Sequence, residues 1–344
     1  MKTDKLLLVA AAFVTTFTLL LIFGPRQDTP IAQAPPQIQP WPQQPPIEQP
    51  PAQPDTPNIS VKIPKYLPYD QMVQQLKTWN QEAPELTEVG TYGKSSRGKD
   101  LYYIRVTNKR LTNKKPNILI TACIHGNEPL SASTVLGYIG TMLATYRQDD
   151  HVTKLIDERD IYFVPIVSPD SHPNSRHVDG VDPNRDFPSL SNPNKRSVPP
   201  VQALRDFFLQ HKFKAVISGH TWGRVYLIPY GDTDTKNENW EDYQRIMGKM
   251  SNLSGYKIMR AFDMYQGNGL AIPPPQYGPI QVSEWAMRPI YGTEVDWYYR
   301  HGAMSIVCEY GHHQRIPSDQ DTQVEFDKTY RATLIFIDEM PIIR

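Results

Sequence analysis

The sequence carries no excess of charge: 36 Lys and Arg stand against 36 Asp and Glu in 344 residues. Bulk electrostatics therefore offers nothing to nucleic acid or to an acidic partner, and no nucleic-acid partner is expected. Cysteine is nearly absent. Cys123 and Cys308 are the only two. Both lie in apolar runs, so they read as buried free thiols acting as small apolar side chains, which leaves no disulfide framework. No internal repeat is visible. Apolar residues are scarce from 25 to 60, where Pro and Gln dominate, as in Gln43-Gln44-Pro45-Pro46. Such a stretch cannot bury a core and reads as a disordered linker. Extended at ~3.1 Å per residue, it reaches on the order of 100 Å.

What is present begins with Leu6 to Phe23, an apolar run of about 18 residues broken by Thr15, Thr16 and Thr18, near the lower limit for a spanning helix. Lys2 and Lys5 precede it and place its start in the cytoplasm. The expectation is one transmembrane signal-anchor over residues 1–24, with the rest of the chain outside the cytoplasm, periplasmic or extracellular. A cleaved signal peptide, giving a secreted form, is the competing reading. It wants small residues soon after the apolar run, but Gly24 is followed by Pro25, and Ala32-Gln33-Ala34 is distant and followed by Pro35.

Residues 61–344 are long enough for one domain with a sizeable core. Apolar periodicity predicts strands over 101–106, 117–123, 160–167, 214–218, 225–228 and 304–310. It predicts helices over 69–80, 130–146, 198–211, 240–253 and 323–339. Strands alternating with helices argue for an α/β sheet covered on both faces. The second strand runs into His125-Gly126-Asn127-Glu128. That puts an imidazole and a carboxylate at the C-terminal end of a buried strand, where open α/β sheets hold their ligands. Alone the pattern marks a polar turn more often than a metal site. A further strand delivers His220, and the three together make a His₂Glu set for a zinc ion with an open position. The last strand delivers Glu309, a carboxylate left over once the ligands are counted and suited to be a base.

These motifs resemble those of the zinc carboxypeptidases of the carboxypeptidase A type, from about Tyr66 to the C-terminus. The resemblance covers Tyr69-Asp70, Gly90-Thr91-Tyr92-Gly93-Lys94-Ser95, the loop His125 to Glu128, and Asp182-Asn184-Arg185. It continues through His220-Thr221-Trp222, Leu227-Ile228-Pro229-Tyr230-Gly231 and Gly292-Thr293-Glu294-Val295-Asp296-Trp297 to Glu309. It implies a mixed, mostly parallel eight-stranded sheet flanked by helices, one Zn²⁺ per chain, and a peptide substrate with a free C-terminus. It also implies roles. His125, Glu128 and His220 are the metal ligands; Glu309 is general base and then general acid. Asp182 accepts the other ring N–H of His125 and orients it, a turn aspartate before Pro183 being the other reading. Arg176 stabilises the oxyanion, against a plain surface arginine. Asn184 and Arg185 hold the terminal carboxylate through the planar guanidinium, against a structural ion pair of Arg185 with Asp186.

Two positions depart from the family pattern. Trp222 stands where a tyrosine is usual. Counting back from Asp296, Arg288 stands where the substrate-capping tyrosine is expected, so that role is unassigned. Val295 occupies the position that sets side-chain preference, and no acid there selects Lys or Arg. The extra cation at Arg288, together with the tether, points to cell-wall peptides ending in a diamino acid. His312 and His313 read as surface or pocket residues, because as ligands they would close the open position. Two other classes stay in view. One is a zinc-dependent amino-acid deacylase of the aspartoacylase type, against which the Asp-Trp segment and the strand carrying Glu309 argue. The other is a non-catalytic peptide-binding module, which requires a lost ligand or base.

Overall fold

Met72, Val73, Leu76 and Trp79 recur at helical spacing in helix α1 (Tyr69–Glu82), and all four are buried. The same logic builds most of the chain. The computed structural model describes residues 66–264 and 289–340. The expected transmembrane segment 1–24, the linker 25–60 and Arg288 lie outside the described residues. No helix among the described residues is long and apolar enough to cross a membrane.

The strands are β1 (Thr87–Lys94), β2 (Asp100–Val106), β3 (Asn117–Ala122), β4 (Asp160–Val164), β5 (Ala215–Thr221), β6 (Val225–Ile228), β7 (Lys257–Arg260) and β8 (Met304–Tyr310). They form one eight-stranded sheet in the order β1-β2-β4-β3-β5-β8-β6-β7. Four of its pairings are parallel and three antiparallel; three parallel pairings, β4-β3-β5-β8, lie at the centre and the fourth, β6-β7, at one edge. Every residue of β5 and β8 is buried, which is why these strands read as continuous apolar runs.

Alternation along the strands divides the core in two. Ile118, Ile120, Ala215, Ile217 and Ile306 pack with the apolar sides of α2 (Pro129–Thr145) and α7 (Asp319–Glu339). Leu119 and Val216 pack on the other face with Leu204, Phe207 and Phe208 of α4 (Pro199–His211) and with Trp297 of α6 (Glu294–Arg300). The helices α3 (Asp150–Glu158) and α5 (Trp240–Ser254) complete the layers.

The structure differs from expectation at several elements. Strand β1 was not expected, because Gly90 and Gly93 and a half-exposed edge dilute its alternation. Strand β7 is only four residues long, too short for a periodic signal. Helix α3 is mostly polar and is fixed by Asp149, whose side chain accepts from the backbone of His151 and Val152. Strand β4 stops at Val164 instead of 167, and β5 runs on to Thr221, so His220 lies within the strand. Helix α7 begins at Asp319, four residues early, at a capping box formed by Ser318 and Asp321.

Candidate metal centre

The carboxyl ends of β3, β5 and β8 meet at one place, and the chemistry sits there. After β3 the chain takes a left-handed step at Cys123, φ 50°, and turns through His125. Glu128 is the residue from which α2 starts. The Cys123 backbone N–H and the Ser131 hydroxyl tie this turn together, the hydroxyl donating to the Glu128 carbonyl at 2.7 Å. Gly126 is required here, because a Cβ would stand 2.4 Å from the backbone of Ser171. On β5 and β8, His220 and Glu309 are register partners, so both project from neighbouring positions on one sheet face.

His125, Glu128 and His220 are all buried, and one donor atom from each lies within 4.8 Å of the others. Nδ1 of His125 is 2.9 Å from Glu128 Oε1, and Nδ1 of His220 is 3.1 Å from Glu128 Oε2. The far nitrogens also face carboxylates: His125 Nε2 meets Asp182 Oδ1 at 2.9 Å and His220 Nε2 meets Glu294 Oε1 at 2.7 Å. A neutral imidazole carries one proton and can donate to only one carboxylate. Each ring's second contact therefore calls for another cation, a proton or a metal ion, at the point where both Nδ1 atoms and Glu128 converge. Two nitrogens and a carboxylate oxygen fit zinc, and the carboxylates behind both rings fix their orientation.

Charge around the centre agrees. Burial opposes ionisation of Glu128, but the two histidines outweigh it and hold its carboxyl well below the ordinary range. Burial likewise opposes protonation of His220, yet Glu128 and Glu294 raise it well above its ordinary value. Surroundings that favour a proton on His220 favour a dication beside it. Glu309 behaves differently: burial pushes its carboxyl up to about 7, with His220 opposing and Glu128 adding to the rise. A carboxylate so perturbed, opening on a cavity, has the character of an acid–base group.

The cavity has a volume of about 870 Å³, and His125, Glu128, His220 and Glu309 line one wall. Asn184, Arg185 and Val295 open on the same space, as does Arg176. Arg176 donates to Asp182 through Nε at 3.0 Å and holds Nη1 3.7 Å from Glu128 Oε1. Asp186 is not the partner of Arg185. It accepts from Lys195 at 3.2 Å and from the Val198 backbone at 2.6 Å, which removes the ion-pair alternative. Gly292 packs directly on Arg185, since a Cβ would stand 2.6 Å from the Arg185 carbonyl oxygen. Leu227, Met259, Ala261, Val295 and Val307 give the cavity an apolar patch, while Arg224, Lys257 and Lys328 also line it. Trp222 is half exposed at the rim, His312 lines the cavity, and His313 lies 3.5 Å from Asp321. Neither histidine joins the metal-capable group. Cys123 and Cys308 are buried free thiols, as expected.

Two further contacts complete the centre, one from Gln314 and one from Glu294, whose side chain could face either way on sequence grounds. Gln314 donates to Glu128 Oε1 and to the Thr221 carbonyl, each at 3.1 Å. Glu294 backs His220. Neither carries a local sequence signal, because both act across long stretches of chain.

Comparison with known proteins agrees with this geometry. A family model described as zinc carboxypeptidase matches residues 72–332. Carboxypeptidase A4 of Mus musculus is 23% identical over 276 residues, covering 69% of this chain and 60% of that protein. Carboxypeptidase B of Rattus norvegicus is 23% identical over 278 residues, covering 70% of this chain and 61% of that one. The chain thus spans about 60% of the length of these curated relatives. Among solved structures, thrombin activatable fibrinolysis inhibitor superposes with a TM-score of 0.65 at 19% identity, covering 80% of this chain and 74% of the other. That likeness shows the fold.

Proposed function

The chain belongs to the zinc carboxypeptidase family, and we propose that it hydrolyses the C-terminal amide bond of peptides. The observation that carries this is one cavity holding both a buried His₂Glu centre with Glu309 beside it and the pair Asn184 and Arg185. His125, Glu128 and His220 would hold the zinc. When bound, zinc acidifies a water molecule and polarises the scissile carbonyl. Glu309 takes the proton from the attacking water. It then passes that proton to the amide nitrogen as the C–N bond breaks, leaving a carboxylate and a free amine. Arg176 stabilises the oxyanion of the tetrahedral intermediate, and Asn184 and Arg185 hold the terminal carboxylate. Nothing observed favours the deacylase or the binding module, the latter because ligands and base are all present.

The apolar patch at Leu227, Met259, Val295 and Val307 favours an apolar terminal side chain. The competing substrate is a cell-wall peptide ending in a diamino acid, whose support, Arg288 and the tether, lies outside the described residues. A panel of N-blocked dipeptides and muramyl peptides decides between them. We expect apolar termini to exceed diamino termini in kcat/KM by at least ~10-fold, the scale set by one methylene in an apolar pocket. Amidating the terminal carboxylate should abolish most turnover, and Arg185→Ala should raise KM strongly and lower kcat as positioning is lost. Equal cleavage of amidated and free peptides would make the enzyme something other than a carboxypeptidase. Faster cleavage of the wall peptides would establish the diamino substrate.

We further propose that residues 1–24 anchor the domain on the outer side of the cytoplasmic membrane, on the strength of the apolar run and its flanking lysines. Mass spectrometry of the membrane fraction should find the intact N-terminus. A mature start beyond residue 24 would replace the anchor by a cleaved leader.

A further inference from the structure

We infer that Glu294 is a positioning residue for the metal, holding His220 from behind as Asp182 holds His125. The inference rests on His125, Glu128 and His220 being the zinc ligands. Glu294 is fully buried, and its Oε1 lies 2.7 Å from His220 Nε2. Among the described residues His220 is its only ion-pair partner, and Oε2 has no hydrogen-bond partner at all. A carboxylate taken out of water without Lys or Arg is costly, so the imidazole contact is what offsets it. A glutamate serving only the start of α6 would place its carboxylate on backbone N–H groups. Instead the Glu294 backbone N–H donates to Asn184 Oδ1 at 2.9 Å, while the side chain reaches the other way to His220.

The consequence is directional. An ionised carboxylate accepts only, so Glu294 holds the ring proton on Nε2 and leaves the Nδ1 lone pair facing Glu128 and the metal point. Asp182 does the same for His125. Both imidazoles are thus oriented and made more basic by a carboxylate, an arrangement that typically governs metal affinity by about 10–100-fold. Glu294 also joins two parts of the site. Through its backbone it fixes the Asn184 side chain, and through its carboxylate it fixes a ligand.

The experiment measures zinc dissociation constants by competition with a chromophoric chelator and the visible d–d spectrum of the Co²⁺ form. It uses wild type, Glu294→Gln, Glu294→Ala and Asp182→Asn, with thermal melts of each protein. Glu294→Gln keeps the shape and an acceptor oxygen but loses the charge. We expect it to melt near wild type, to bind zinc more weakly and to shift the Co²⁺ bands. Glu294→Ala should lose about 10–100-fold in affinity. If Glu294→Ala does not fold, Glu294→Gln decides alone. Wild-type affinity and an unchanged Co²⁺ spectrum in folded Glu294→Gln would overturn the inference while leaving the metal centre intact. A wild-type protein that takes up no zinc would remove the centre itself, and this inference with it.

Discussion

Replacing Glu309 by Gln should leave the fold and the zinc in place and lower kcat by about 10²–10⁴-fold. Glu309 lies on β8, beside His220 in register, and no metal-capable group among the described residues includes it. Its removal therefore takes away no ligand. Gln matches Glu in volume, so the buried position keeps its packing and no cavity opens. What is lost is, among the described residues, the one carboxylate lining the cavity beside the ligands that can carry a proton from water to the leaving amine. The pH dependence offers a second view of the same group. Burial raises the Glu309 carboxyl to about 7, and a bound dication draws it down. Activity needs the ionised form, so kcat/KM should fall on the acid side with a midpoint at or below about 7. That limb should vanish from the residual activity of Glu309→Gln. Steady-state kinetics on a blocked dipeptide, with metal content measured on the same samples, checks both. Near-normal turnover in a zinc-loaded variant would take Glu309 out of the mechanism.

The residues legible in the sequence share a physical reason. His125 and Glu128 sit three apart after a buried strand, and His220 and Glu309 end or interrupt apolar runs, so chain direction alone brings them to one edge of the sheet. The eight-stranded sheet is legible through the same apolar runs at its centre and through the resemblance at its edges. Less legible are elements whose order comes from packing. Strand β1 is diluted by glycine, β7 is four residues long, and α3 and α6 are short and capped by Asp149 and Thr293. Least legible is Glu294. Between Thr293 and Val295 it looks like one more first-turn acid of a helix. Its contact with His220 spans 74 positions of sequence and exists only because α6 packs against β5 and β8. The partner of Asp186 is equally illegible in sequence, where Arg185 is adjacent but Lys195, nine positions on, makes the ion pair.

His220→Ala should reduce bound zinc from about one per chain to almost none, and hydrolysis with it, because two protein ligands rarely retain the ion. Elemental analysis after dialysis measures this directly. The substitution does more than delete a ligand. His220 lies between two buried carboxylates, Glu128 at 3.1 Å and Glu294 at 2.7 Å. Glu128 keeps other partners, accepting from the Thr221 backbone N–H at 3.0 Å and from Gln314 at 3.1 Å. Glu294 keeps no side-chain hydrogen bond among the described residues, since its Oε2 has no partner there. Removing one member of a buried pair and leaving the other charged is strongly destabilising. His220→Ala should therefore melt well below metal-free wild type. Adding Glu294→Gln should recover part of that loss, a non-additivity expected only of residues in direct contact. One zinc per chain retained in folded His220→Ala would show that the ligand set is wrong. Additive destabilisation in the double variant would show that the Glu294 contact carries no coupling, even with the ligand set correct.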